Sequence, residues 1–270
     1  MKKRKLIKQE INKTIKQEQK LLMKSNRDFL EETAKSLADN VNEKLPFDAK
    51  EIFIEAFRKG FVSVFEKGGK YIDKTYNIEK MKTEYQKNID RFNIDHTKKN
   101  LRAVEKSAKI KALFNTGIST IEGAAVGFMG LATAVADVPF FIAVLMKHLN
   151  ETAMNYGFDY DLKEERLFML NIIAMSVSKE EQKHTYSKAA DKIGYSIDTN
   201  QSIDQTLDEA IQNTSEVIAE YITTSKLLQS IPFAGSILGG VNNYKFMSHI
   251  GLVANIKYKK RYLYKMMVSQ

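Results

Sequence analysis

Two carboxylates, Glu122 and Asp137, stand in the otherwise uncharged run EGAAVGFMGLATAVADVPFFIAVLM, which extends from residue 122 to residue 146. A carboxylate pair in apolar surroundings is an arrangement that serves general acid–base or glycoside-cleaving chemistry. The spacing argues against it here. On one continuous helix the two would lie roughly 20 Å apart, and only a break near Gly130 or Pro139 would fold them toward one reacting bond. Asp137 has a simpler reading as the N-cap of a helix in which Val138 and Pro139 take the first two positions, so no catalytic residue is assigned.

A metal site is the second chemistry to weigh. In His148-Leu-Asn-Glu151 an imidazole and a carboxylate share a helix face, and His249 stands in a second unusual segment later in the chain. A carboxylate-bridged di-iron site needs Glu before His and a second copy of the motif, which the sequence lacks. His148, Glu151 and His249 are therefore metal candidates without a full ligand set, and no cofactor is expected. The glycine-rich runs lack the Gly-Lys-Ser/Thr ending of a phosphate loop, so no nucleotide site is expected either. An enzyme would have to draw on Asp137, His148, Asn242 and His249 converging within about 4 Å around one pocket.

The elements that would position these residues are helical. The 270-residue chain is 43% hydrophobic and 28% charged, enough apolar residue for a sizeable core. Three prolines and thirteen glycines are too few for the turns of a many-stranded sheet protein, which leaves an all-α fold with a single multi-helix domain. The formal charge of +9 attracts polyanions, and the absence of cysteine removes disulfides, thiol nucleophiles and Cys-type zinc sites. The start MKKRKLIKQEINK has the basic opening of a signal peptide without the apolar run that should follow.

From about Lys5 to Leu45, Ile7, Ile11, Ile15, Leu22, Phe29, Leu37 and Val41 recur at helical steps. Residues 1–24 carry nine basic side chains against Glu10 and Glu18. Such a helix can lie on an anionic bilayer, each lysine or arginine contributing about 1 kcal/mol near the headgroups. Residues 1–45 thus read as a basic amphipathic N-terminal helix and residues 46–270 as the main helical domain. Pro46 separates them, and Asp48 with Glu51 suggests a capping box for a second, aromatic-faced helix ending at Gly68 and Gly69. A charged, periodic stretch from Tyr71 to Phe114 predicts one or two helices interrupted near Asn93 to His96. YGFDYD reads as a turn after the helix that contains His148. Further helices follow over residues 162–178, over about 179–193 and from Ser202 to about Ile231.

Two segments about a hundred residues apart are rich in glycine and apolar side chains. The first contains Gly123, Gly127 and Gly130, spaced so that another helix can approach closely, and the second, IPFAGSILGGVNN, contains Gly235, Gly239 and Gly240 before Asn242. A buried helical hairpin explains both better than a membrane span, because Asp137 and Pro139 burden the first and the second is short. The tail then interleaves Lys257, Lys259, Lys260, Arg261 and Lys265 with Tyr258, Tyr262 and Tyr264.

These two segments resemble the EcsC family, whose members share a glycine-rich apolar stretch, an Asp-x-Pro, a Tyr-Gly turn and a late glycine-rich segment leading into Asn. Here the pattern falls on Asp137 and Pro139, on Tyr156 and Gly157, and on Gly239, Gly240 and Asn242. The likeness spans roughly residues 47–265, leaving the first 45 outside. It implies a bacterial, membrane-associated accessory protein, since the family takes its name from an operon that also encodes the ATPase and membrane subunit of an ABC-type transporter. It supplies no catalytic residues.

The expectation is a non-enzymatic protein, peripheral at the cytoplasmic face of the cell membrane, held there by Lys2, Lys3, Arg4, Lys5, Lys8, Lys257, Lys259, Lys260 and Arg261. A membrane surface accounts for the basic ends and the apolar middle together, whereas nucleic acid accounts only for the tail. The rival is a membrane-inserting effector in which the glycine-rich hairpin leaves the core.

Overall fold

The computed structural model describes residues 2–23, 48–68, 78–107, 138–224 and 241–268. All regular structure among them is helical: α1 (Lys2–Met23), α2 (Ala49–Ser63), α3 (Ile78–Ile94), α4 (Lys98–Ser107), α5 (Val138–Asn155), α6 (Lys163–Val177), α7 (Glu180–Asp198), α8 (Leu207–Thr224) and α9 (Val241–Val268). The all-α expectation therefore holds. Gly123, Gly127, Gly130, Asp137, Gly235, Gly239 and Gly240, together with Glu122, lie outside the described residues, as does the side chain of Asn242. The bulky half of the opening run is described, and most of its bulk is core: Val138, Phe141, Ile142, Leu145 and Met146 are buried in α5, while Phe140 is exposed.

Two helices sit at the centre. In α6 every residue from Leu167 to Val177 is buried, and it touches α7, α8 and α9. In α9 nearly the whole stretch from Val253 to Leu263 is buried, with α1, α5, α6 and α7 around it. A helix buried on all sides is expected to be apolar all round, and α6 largely is. The centre of α9 is not, since it carries Lys257, Lys259, Lys260 and Arg261. α5 and α9 run in the same direction. Phe141 meets Phe246 at 5.6 Å between ring centroids, and two turns or more further along both helices Tyr156 donates to Asn255 Oδ1 at 2.8 Å.

Local chemistry sets the helix ends, not always as the pattern suggests. Asp48 does occupy the N-cap of α2, but its side chain makes no capping hydrogen bond, so the Asp48–Glu51 box does not form. α8 starts at Leu207 rather than near Ser202 because Thr206 and Glu209 form such a box instead. The Thr206 backbone N–H donates to Glu209 Oε2 at 2.8 Å, and the Glu209 N–H donates to Thr206 Oγ1 at 3.2 Å. The break expected near residues 93–96 falls between Ile94 and Lys98. α5 ends in a Schellman motif at the Tyr-Gly turn: Phe158 N–H bonds to Ala153 O at 3.0 Å and Gly157 N–H to Met154 O at 2.9 Å, with Gly157 at φ +76°.

The amino-terminal helix is part of the same core. Ile7 and Ile11 are buried, and Leu6, Ile15, Leu21 and Leu22 pack against the same cluster. Residues 2–23 therefore share the core of the other described helices, and the expected boundary at residue 45 lies outside the described residues. The tertiary partner is α9, which no local pattern could disclose.

Candidate functional site

The metal candidates do not assemble. His148 lies on the face of α5 that meets Gly251 of α9, so closely that a Cβ on Gly251 would collide with the imidazole Nε2. His249, two residues before Gly251, is turned about 200° round the helix from that contact. Glu151 is half-buried, and burial pushes its carboxyl up from the usual range against the opposing pull of Lys147. Among the described residues no group of three or more His, Cys, Asp or Glu is placed to hold a metal ion.

His148 has a structural character instead. It is 3% exposed, and its Nε2 has no hydrogen-bond partner among the described residues. Burial lowers its pKa to about 4, so it is neutral at physiological pH. The folded value lies below the unfolded one, and the unfolded chain takes up the proton first as pH falls. The stability that a neutral His148 permits is therefore complete above about pH 6.5 and lost as pH drops toward 4. Between pH 7 and pH 5 this amounts to about 2 kcal/mol. Urea unfolding at the two pH values should show that loss in the native chain and a much flatter response in His148→Leu. Equal pH dependence in both would refute the assignment.

The basic tail residues are the main correction. Lys257 is 1% exposed, Lys259 5% and Arg261 7%, and Lys260 is largely covered, so these four do not face a membrane in this structure. They are paired across the core with carboxylates from α1, α6 and α7. Lys257 Nζ meets Glu18 Oε1 at 2.5 Å and Asp191 Oδ1 at 2.8 Å. Lys260 Nζ meets Glu18 Oε2 at 2.5 Å and Asp191 Oδ2 at 2.7 Å. Ser187 Oγ donates to Glu18 Oε1 at 3.0 Å and accepts from Lys257 at 2.8 Å. One turn away, Arg261 Nη1 donates to both oxygens of Glu165, at 2.9 and 2.8 Å, while its Nε and Nη2 grip Asp198 at 2.8 and 3.0 Å. The guanidinium lies between the rings of Phe158 and Phe168, 4.1 and 4.9 Å from their centroids. Glu10 of α1 meets Lys259 at 3.4 Å and Lys98 of α4 at 3.5 Å.

Among the described residues five carboxylates thus face the four covered cations of α9, with exposed Lys98 of α4 sharing Glu10, and they offset the positive charge that the sequence of α9 alone would carry into the core. Burial raises the cost of an ionised Glu18, but the fields and hydrogen bonds of Lys257 and Lys260 outweigh it and hold its carboxyl below the usual value. Glu10 is lowered in the same way, with burial opposed chiefly by Lys259. Burial pushes Lys257 down from the ordinary lysine value, against Asp191 and Glu18. Desolvation consumes much of the attraction in such a buried network, so its net contribution to stability is small compared with the cost of removing one partner.

The same pairing sorts the charges of α1. Its two acidic residues, Glu10 and Glu18, both face inward, on the buried stripe with Ile7, Ile11 and Thr14. Arg4, Lys5, Lys8, Lys13, Lys16 and Lys20 all face outward. The outer face of α1 therefore carries six cations and no carboxylate along about 24 Å of helix. Lys3 is half-covered, donating to Asn93 Oδ1 at 3.2 Å and lying over the Phe92 ring. The side chain of Lys2 lies outside the described residues. Of the surface residues expected from the sequence, Arg4, Lys5 and Lys8 are exposed, and Lys13, Lys16 and Lys20 extend the same face.

Among the described residues no helix is long and apolar enough to cross a membrane. No solved structure matches the chain. Two curated proteins of Bacillus subtilis (strain 168) are similar to it. Protein EcsC is 25% identical over 238 residues, covering 82% of this chain and 96% of that protein. Uncharacterized protein YdbA is 27% identical over 216 residues, covering 74% and 73%. The EcsC protein family matches residues 8–263, starting inside α1 rather than after residue 46 and reaching Leu263 in the buried centre of α9. With the match running from one partner of the central ion network to the other, the chain belongs to the EcsC protein family.

Proposed function

We propose that this protein is a non-enzymatic, peripheral membrane protein that binds an anionic bilayer through the outer face of α1 and serves a membrane machine as an accessory or regulator. The observation that carries this reading is the sorting of charge on α1, with both carboxylates turned into the core and six cations turned out. A polybasic face of this kind gains about 1 kcal/mol per lysine or arginine close to an anionic surface. The resemblance to the EcsC family adds an ABC-type transporter as the candidate machine and the cytoplasmic face as the place. Lys257, Lys259, Lys260 and Arg261 of α9 go to the core and not to this surface, whereas Lys265 stays exposed.

Flotation with phosphatidylglycerol vesicles tests the reading. The native chain should float at low salt and release at high salt, because screening shortens the reach of exposed charges to about 8 Å or less. Changing Lys8, Lys13, Lys16 and Lys20 together to Gln should lower partitioning by roughly 10²–10³-fold, about 1 kcal/mol for each. These side chains are exposed, so the fold should survive the change. Absence of flotation at low salt would overturn the proposal. Release of a trapped dye would replace it with the membrane-inserting alternative.

A further inference from the structure

The Glu18 carboxylate is held by two ammonium groups and a hydroxyl that do not come from its own helix. Lys257 and Lys260 reach it from α9 at 2.5 Å each, and Ser187 reaches it from α7 at 3.0 Å. The hydroxyl has a fixed polarity, since Lys257 donates to Ser187 Oγ and leaves its proton for the oxygen of Glu18. Lys257 is anchored further on the Ser187 carbonyl at 2.8 Å, and Asp191 steadies both ammonium groups. Two ammonium groups and an oriented hydroxyl converging on one oxyanion form a set that also suits a phosphate group. The occupant, Glu18, arrives on the helix whose opposite face is cationic. An anionic surface that attracts α1 from outside therefore competes with the lysines that hold it from inside.

We propose that Lys257, Lys260 and Ser187 form an anion site for a phosphate group, that Glu18 occupies this site as an internal stand-in, and that α1 is its displaceable lid. The site itself stands on the geometry alone. The force that lifts the lid rests on the membrane reading above. The ligand chemistry is a phosphate carrying more than one free oxygen, either on a phosphomonoester lipid or free in solution.

Glu18→Ala in the full chain empties the site without removing α1. At matched ionic strength, inorganic phosphate should raise the melting temperature of this variant by on the order of 3–5 °C over chloride, while the native chain responds little. Adding Ser187→Ala to Glu18→Ala should diminish the gain. Equal responses in the native chain and Glu18→Ala would overturn the site, since phosphate would then act on the surface generally. A variant too unstable to melt cooperatively is replaced by Glu18→Gln, which keeps the side-chain shape and should respond in the same direction.

The lid is tested separately. Thr14 is fully buried on the inward face of α1 between Glu10 and Glu18, and the native chain has no cysteine. Thr14→Cys therefore gives one reporter thiol. It should resist maleimide in solution and with phosphatidylglycerol vesicles, and react at least tenfold faster with phosphatidic acid vesicles of equal charge. Acceleration by inorganic phosphate alone would identify the free ion as the source. Protein that floats on phosphatidic acid while the introduced thiol stays protected would overturn the lid and leave the membrane reading intact. Protein that does not float fails the membrane reading, and the phosphate measurement on Glu18→Ala still decides the site.

Discussion

Arg261→Met should lower the unfolding free energy by about 3–5 kcal/mol, read as a fall in the urea midpoint with little change in slope. The methionine fills much of the space between Phe158 and Phe168, so lost packing is a minor part of the effect. The main part is Glu165, which is 1% exposed and would lose both hydrogen bonds from the guanidinium. Burial already pushes its carboxyl up from the usual value, opposed chiefly by Arg261, so without that cation the group would have to take a proton or open to water. Among the described residues Asp198 would keep the rim contact with Lys265, at 4.0 Å.

The companion variant separates charge from shape. Glu165→Gln combined with Arg261→Met removes the stranded charge and still offers Tyr258 Oη, now 2.8 Å from Glu165 Oε1, an oxygen to donate to. The double variant should recover at least about 1.5 kcal/mol of the single loss. A double variant as unstable as the single one would show that Arg261 acts through packing alone.

Gly157→Ala should cost about 2–4 kcal/mol from two sources that can be told apart. The first is the backbone, because φ +76° at the end of α5 is a left-handed conformation that a side chain strains. The second is space, since a Cβ there would lie 2.5 Å from Tyr85 Cε1 and from its hydroxyl. Tyr85 is itself packed edge-on to Tyr262 at 6.4 Å, so it cannot retreat without disturbing the centre of α9. In the Tyr85→Ala background the collision disappears and the strain remains, and Gly157→Ala should then cost only about 1–2 kcal/mol. Identical costs in both backgrounds would refute the steric part. The Schellman bonds from Phe158 and Gly157 are backbone groups and are present in either background.

Much of the fold was legible because it depends on neighbours in sequence. Helical periodicity placed α2, α6 and α7, and the break between α3 and α4 fell where the charged pattern lapsed. The Tyr156–Gly157 turn was visible because a glycine after an apolar helix supplies the one conformation that closes a Schellman motif. The Asp48–Glu51 box was expected and does not form, while the Thr206–Glu209 box went unread; each has an acid three positions on, and only the path of the incoming chain decides whether such side chains turn toward their helix.

The candidate site was legible only in half. A count of charges marked α1 as basic, and its apolar steps predicted the inward stripe, so the outward cations followed from helical geometry. The same count misplaced α9. Lys257, Lys259, Lys260 and Arg261 read as surface residues because their acidic partners lie 63 to 249 positions away, on α1, α6 and α7. One local sign was present, namely that Tyr258 and Tyr262 share a face at helical spacing, as on a terminal helix that docks on the core, and both are buried there. By itself the sequence determined the helices, the turn and the overall positive charge, since these depend on local propensity and composition. The tertiary structure alone decided which cations are neutralised in the core and which stay at the surface, because that requires carboxylates from distant helices to be brought within about 3 Å in a place that water does not reach.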